Sequence, residues 1–362
     1  MSDLIPVTLL TGFLGSGKTT LLNHLLGSPA LKDCAVLINE FGETAIDHLL
    51  VRKISEEMVV LDSGCLCCSV LGDLVTSMRD LFRKRVTGEV PEFRRLLIET
   101  SGLADPAPII HTLMSDVFLE ARYRLDGVIC TVDAVNGERT LDHNRESVKQ
   151  AAVADRLLIT KSDLAEPAAL EALEHRLAAL NPTARVLSVA HGVADPADLL
   201  DCGLWDGSSK IPDVNRWLND EALAAKAETC GPGCAVPGHH HHHHHHHHDH
   251  HGHHHPERHD DHVSSFVLTF DAPLSWEPFA LAIEVLLSMR GENLLRVKGI
   301  LNIVESETPL VIHGVQHLFH PPVTLPAWPD EDRRSRIVFI TRDLSRQAVV
   351  QLLEQAVGEK VA

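Results

Sequence analysis

Through the first half of the chain, short apolar runs recur with glycine or charged residues at their ends. They are "IPVTLLT" (5–11), "CAVLINEF" (34–41), "EMVVLDSG" (57–64), "RRLLIETSG" (94–102), "DGVICTVDA" (126–134), "DRLLITKSD" (155–163) and "ARVLSVA" (184–190). The runs are nearly continuous instead of alternating, which suits strands buried on both faces. Between them, "KTTLLNHLL" (18–26) and "EPAALEALEHRLAAL" (166–180) space their apolar residues as a helix does. Apolar strands separated by helices predict an α/β domain over residues 1–205, a mostly parallel sheet covered on both sides. After Val263 the pattern changes. "SSFVLTF", "LLRVKGILNI", "PLVIHGVQHLF" and "SRIVFIT" read as strands, and "SWEPFALAIEVLLSM" and "LSRQAVVQLLEQAV" as helices. They predict a smaller α+β domain over residues 263–362. Residues 206–262 contain "GPGCAVPG" and a histidine run, material for no packed core, and are expected to form a mobile linker.

Composition adds limits. The chain has 362 residues, 44% of them hydrophobic, enough for two cores, and a formal net charge of −18. Acidity on that scale argues against a nucleic-acid partner, which needs clustered Lys and Arg. No apolar run is long enough to span a membrane, and the first residues lack a basic segment with a cleavage site. A cytoplasmic protein is expected. The eight cysteines (Cys34, Cys65, Cys67, Cys68, Cys130, Cys202, Cys230 and Cys234) are grouped, which points to metal ligands or reactive thiols more than to disulfides.

"GFLGSGKT" (12–19) fits G-x-x-x-x-G-K-[ST] and sits between an apolar strand and an amphipathic helix. Gly12, Gly15, Ser16 and Gly17 would let backbone N–H groups wrap phosphates at the helix start. Lys18 would reach the β- and γ-phosphates. Thr19 would bind Mg²⁺, and Thr20 continues the cradle. "TKSD" follows a strand at the edge where such sheets bind ligands, so Thr160, Lys161 and Asp163 form a guanine-reading candidate. The Asp163 carboxylate can accept from N1–H and the 2-amino group of guanine, and adenine offers no such pair. "IETSG" places Glu99 to hold Mg²⁺ through water and the Gly102 N–H to sense the γ-phosphate. With Lys18 these are the candidate catalytic residues.

Together these pieces resemble the CobW family of P-loop GTPases. The resemblance is carried by "LLTGFLGSGKTTLLNHLL", "INEFGETAIDH", "LDSGCLCCSV", "IETSGLADPAPI", "TKSD", the histidine-rich linker, "LLRVKGIL" and "GVQHLF", and it covers nearly the whole chain. It implies GTP hydrolysis coupled to delivery of a transition metal, zinc or cobalt, to a client metalloprotein that the sequence does not name. Two other readings stay open: a metal store with a nucleotide-gated site, and a GTPase accessory to cobalt insertion in cobalamin synthesis.

Cys65, Cys67 and Cys68 fall within four residues of one another in "GCLCCS". Thiolates are soft ligands suited to Zn²⁺, and three of them leave a tetrahedral site one ligand short, an arrangement fit for an ion that must be released. Buried cysteines or a redox pair are the alternatives. Glu43 in "NEFGE" is a further candidate ligand, although Glu40, Glu43 and Asp47 could instead position Mg²⁺ or water, or be solvated. Residues 239–262 hold 17 of the 26 histidines, His239, His250 and His253 among them, interrupted by Asp249, Gly252 and Asp260. Neutral imidazoles there would bind several divalent ions weakly, as a store or a capture arm, because ordering such a tract costs entropy. Cys230 and Cys234 could add thiolates. His313 and His317 would share a strand face if that segment is extended, as ligands, as contacts to the first domain or as ordinary packing residues.

Overall fold

The computed structural model describes residues 4–38, 59–62, 70–201 and 262–361. Its first half contains β1 (Ile5–Gly12), β2 (Cys34–Ile38), β3 (Val59–Asp62), β4 (Arg95–Glu99), β5 (Tyr123–Asp133), β6 (Arg156–Thr160) and β7 (Arg185–Ser188). All pair in parallel, in the order β3-β2-β4-β1-β5-β6-β7. The strand after β1 is thrown to one side of it and β5 to the other. β1 therefore stands at the point where the strand order reverses, the usual place for a ligand crevice in such sheets.

Inside each apolar run the strand period of two survives. Val7, Leu9, Leu37, Leu96, Ile98 and Val128 face one layer of helices. That layer includes α2 (Val70–Thr87), α3 (Ala107–Ser115) and α4 (Val117–Glu120). Leu10, Val36, Ile38, Leu97, Ile129 and Leu158 face the other way, against Leu21, Leu22 and Leu25 of α1 (Lys18–Leu26). Both faces are apolar, so the sequence shows runs where a half-exposed sheet would alternate. The first domain is completed by α5 (Gly137–His143), α6 (Arg145–Val153), α7 (Pro167–Leu180) and α8 (Pro196–Leu199).

The second domain is an antiparallel sheet of β8 (Val263–Phe270), β9 (Leu294–Leu301), β10 (Leu310–Val315), β11 (Leu318–Phe319), β12 (Val323–Thr324) and β13 (Ser335–Arg342). α9 (Trp276–Arg290) and α10 (Arg346–Val357) belong to the same domain. The two helices cover one face, where Phe279, Ile283, Leu286, Val349 and Leu353 pack on Phe266, Leu268, Phe270, Val297 and Phe339. The other face turns toward the first domain. Leu295 and Ile340 meet Ala152 there, and Ser265 donates to Ala179 O at 2.8 Å. The central strand β9 is buried along its whole length.

One expected strand is a hairpin. "PLVIHGVQHLF" turns at Gln316 and His317, where Gln316 has φ +50° and lies in the left-handed region. His313 and His317 therefore do not share a face. His313 is buried against His320, with ring centroids 5.0 Å apart. The His317 ring fills the space above Gly291, where a Cβ would come within 2.0 Å of its Nδ1. The linker over 206–262 lies outside the described residues, except His262, which makes an ion-pair contact with Asp343 at 2.9 Å.

Candidate functional site

Because every strand of the first sheet is parallel, their carboxyl ends gather at one edge. The register places Leu10 beside Glu99, Gly12 beside Thr131, and Asp133 beside Thr160. Residues far apart in the chain become neighbours for that reason alone.

Gly12 ends β1 with φ +139°, and a Cβ there would lie 2.3 Å from Thr131 Oγ1. Only glycine lets the chain leave the strand at this point. The loop then crosses to α1, whose first N–H groups point out of the edge. The buried Lys18 folds back, donating to Gly12 O at 3.0 Å and Phe13 O at 3.3 Å. Its ammonium thus lies against the loop that it would serve. Ser16 Oγ and Thr131 Oγ1 are 2.6 Å apart, which pins the loop to β5.

Thr19 Oγ1 donates to Glu99 Oε1 at 2.8 Å. A hydroxyl and a buried carboxylate side by side at the helix start are the oxygen donors that Mg²⁺ prefers. The residues present fit that ion. Gly102 sits against the loop: a Cβ there would be 2.7 Å from Leu14 N. The γ-phosphate candidates Lys18, Glu99 and Gly102 are thus brought around one point.

On the other flank, Thr160 Oγ1 donates to Ser16 O at 2.7 Å. Lys161 takes φ +56° and donates to Gly15 O at 2.9 Å and to Asp133 Oδ2 at 2.6 Å, so its stem lies along the loop. Asp163 follows in a short turn, with His191 Nδ1 at 3.6 Å from its Oδ2. The exposed Thr20 packs against Gly192, so the segment after β7 closes this flank.

Asp133 escaped the sequence reading. Burial alone would raise its carboxyl, but Lys161 and the backbone N–H groups of Val135 and Asn136 hold it below the ordinary carboxylate range. An acid ending a strand at the carboxyl edge was the available signal. A second missed residue is Gln150 of α6, which donates to Gly102 O at 3.2 Å and Ala104 O at 2.9 Å. Nothing in local sequence marks it, since its partners lie 46 and 48 residues away. Gln150 also lines a cavity of about 330 Å³ beside the loop, with Leu14, Ser16, Asp133, Arg139 and Lys161.

The metal candidates divide differently. Cys65, Cys67, Cys68, Glu43, His239, His250 and His253 lie outside the described residues, as do Glu40, Asp47, Cys202, Cys230 and Cys234. Among the described residues no group of three His, Cys, Asp or Glu is placed to hold a metal ion. Cys34 and Cys130 are buried, and burial pushes both thiols up to about 12, so neither supplies a thiolate at neutral pH. Among the described residues no helix is long and apolar enough to cross a membrane.

Residues 6–188 match the nucleotide-binding domain of the CobW/HypB/UreG family, and residues 263–357 match the cobalamin synthesis protein CobW C-terminal domain. The zinc chaperone YjiA of Escherichia coli is 35% identical over 345 residues, covering 95% of this chain and 96% of the relative. The zinc-regulated GTPase metalloprotein activator 1 of Saccharomyces cerevisiae is 27% identical, covering 97% of this chain and 83% of its own. The crystal structure of Zn(II)-bound YjiA GTPase from E. coli superposes with a TM-score of 0.69 at 30% identity, over 98% of this chain and 99% of that one. Matched in both domains and along nearly its whole length, the chain belongs to the CobW/HypB/UreG family of P-loop proteins.

Proposed function

We propose that this protein is a GTP-hydrolysing zinc chaperone. It holds one zinc ion at Cys65, Cys67 and Cys68, with Glu43 as a further ligand, and passes the ion to a client metalloprotein. The observation that carries the nucleotide half is the clustering of Lys18, Thr19, Glu99 and Gly102 at the carboxyl edge beside β1. The relatives named as a zinc chaperone and a zinc-regulated GTPase support the cargo. Lys18 neutralises charge on the β- and γ-phosphates, and Asp163 selects guanine. Thr19 and Glu99 would hold Mg²⁺, which would supply neutralisation of phosphate charge when bound.

The strand before the three cysteines, β3, ends at Asp62 on the same edge as the phosphate loop. Cargo and nucleotide are coupled in this reading. By linkage, the factor by which GTP changes zinc affinity equals the factor by which zinc changes GTP affinity.

Zinc affinity measured with GTP, with GDP and without nucleotide tests the reading. The expected result is one tight site whose affinity depends on nucleotide. Replacing Cys65, Cys67 and Cys68 together by serine should remove it and leave GTP binding intact. Tight stoichiometric zinc in that triple variant would place the ligands elsewhere. Removing residues 239–262 should abolish only weaker ions, whose affinity falls as pH drops through about 6.5, where imidazoles protonate.

A further inference from the structure

Between the phosphate loop and α3 runs the segment Ser101 to Asp105, whose Gly102 N–H faces the γ-phosphate in the proposed mechanism. An N–H can serve a transition state only if its peptide is held in one orientation before the reaction. Ser101 O accepts from Ala104 N–H at 3.0 Å, which restrains the peptide on one side of Gly102. The peptide on the other side is held by two side chains: Ser101 Oγ accepts from Leu103 N–H at 3.4 Å, and Gln150 donates to Gly102 O. The same amide group donates to Ala104 O. Two carbonyl acceptors fix which end of the amide is the nitrogen, since the reversed amide would set oxygen against oxygen.

The support behind Gln150 is rigid. Gln150 is fully buried. The end of its helix is locked by Asn181, whose Nδ2 donates to Ala151 O, Ala152 O and Ala154 O at 2.8, 3.0 and 2.8 Å. Arg296 of the second domain donates to Val153 O in the last turn. The neighbouring Lys149 binds Asp105 Oδ2 at 2.6 Å, while Asp105 Oδ1 accepts from Ala107 N–H and so starts α3. Helix α6 thus grips the segment at Gly102, Ala104 and Asp105. Gln150 Oε1 has no hydrogen-bond partner among the described residues, and the side chain lines the cavity next to the phosphate loop. A core that needed only apolar filling at this position would place no amide here, given the cost of a buried unpaired acceptor.

We infer that Gln150 is a positioning residue for GTP hydrolysis, holding the segment Ser101 to Asp105 so that the Gly102 N–H meets the γ-phosphate. This rests on the reading that the chain hydrolyses GTP. Gln150 acts through Gly102 and does not itself touch the nucleotide. Its effect belongs to states that carry a γ-phosphate, and GDP should be indifferent to it.

The test compares the unaltered protein with Gln150→Leu, which keeps the bulk and removes both donors, and with Lys149→Met, which removes the half-buried ion pair to Asp105 and leaves Asp105 Oδ2 the weaker contact from Gln316 Nε2 at 3.4 Å. Single-turnover hydrolysis, GTP and GDP affinities and the melting temperature are measured for each. Gln150→Leu should lower the rate of hydrolysis about tenfold or more, in the range seen when one transition-state donor is misplaced. It should weaken GTP several-fold while GDP affinity stays within about twofold, the pattern of an interaction made only with the γ-phosphate. Lys149→Met should shift the same quantities in the same direction by less, and it decides the matter alone if Gln150→Leu does not fold. Unchanged hydrolysis in both variants would overturn the inference. Equal losses of GTP affinity, GDP affinity and melting temperature would also overturn it, since that is what a purely structural glutamine would give. If the unaltered protein binds guanine nucleotide and releases no phosphate, the hydrolysis reading itself falls, which is a separate result.

Discussion

β6 joins two regions of opposite character. At its carboxyl end, Thr160, Lys161 and Asp163 lie beside the glycine-rich loop in a region partly open to solvent, and Thr160 and Lys161 donate to the loop's carbonyls. About 17 Å away, at roughly 3.3 Å per residue, Asp155 precedes its first residue in a closed seam between the domains. There the Asp155 carboxylate meets Arg296, binds Lys298 Nζ at 2.8 Å, and accepts from Val128 N–H at 2.9 Å. Burial would raise that carboxyl, but Arg296, Lys298 and His313 outweigh it and hold Asp155 well below the ordinary range. At one end polar groups gather along the phosphate loop and stay partly accessible. At the other they satisfy one another. The open end can bind and exchange, whereas the closed end fixes how the second domain seats.

The largest effect should come from Lys18 at the open end. Lys18→Ala removes the buried cation held against the phosphate loop at Gly12 O and Phe13 O, and turnover should fall by about three orders of magnitude, as when a phosphoryl-transfer cation is lost. Phosphate-release kinetics would show it. Turnover within about tenfold of the unaltered protein would remove the edge beside β1 from the chemistry and undo the contrast between the two ends.

At the closed end, Asp155→Ala should leave Arg296 and Lys298 buried without a counter-charge. Breaking a buried pair by removing one partner costs about 3–5 kcal/mol, measurable as a lower denaturant midpoint. Replacing Asp155, Arg296 and Lys298 together by apolar residues of similar volume should recover most of that loss. If the triple variant also keeps the unaltered rate of hydrolysis, the seam is a seating device and nothing more. If hydrolysis falls while stability returns, the charges also set α6.

These two ends differ in how far sequence alone reveals them. The phosphate loop is contiguous and its glycine spacing is dictated by backbone geometry, so Gly12, Gly17, Lys18 and Thr19 were legible without a structure. Most strands were legible too, because burial on both faces makes them apolar runs. Asp155, Arg296 and Lys298 were not, because ion pairs 141 and 143 residues apart leave no local pattern. In "LLRVKGIL" nothing local marks the two cations as buried, yet Arg296 and Lys298 lie in the interior with the rest of β9. The hairpin at Gln316 was hidden because Gly314-Val315-Gln316-His317 carries no turn signal strong enough to divide an apolar run. Gln150 became visible only when the fold set α6 beside Gly102, whereas Asp133 carried a local signal as an acid ending a strand.

Base recognition should give a smaller effect than either charge deletion. Asp163→Asn should weaken GTP about tenfold to a hundredfold, from the loss of charged hydrogen bonds worth about 1.5–3 kcal/mol each, and should improve xanthosine triphosphate. Competition binding with ATP, GTP and xanthosine triphosphate measures it. Equal affinity of the unaltered protein for ATP and GTP would leave the open end a phosphate site without a base site.

The smallest effect is the dependence of the closed end on pH. His313 and His320 are driven well below 6.5, chiefly by burial, with Arg296 adding to the shift in both and Asp155 opposing it. Lys298 is lowered to about 8, again chiefly by burial, with Arg296 beside it and Asp155 pulling the other way. All three shifts have the same sign for stability. Below about pH 6.5 the unfolded chain protonates both histidines and the folded seam does not, so the unfolded state binds more protons and stability falls with acidification. Between about 8 and 10.5 the unfolded chain holds a proton on Lys298 that the folded chain releases, so stability rises with pH across that window. Each group contributes a slope of at most about 1.4 kcal/mol per pH unit inside its own window. Denaturant unfolding from pH 7.5 down to 5 should show the fall, and replacing His313 and His320 together by leucine should flatten it. An unchanged slope in that double variant would mean that acid acts elsewhere and that the closed end is insensitive to protons.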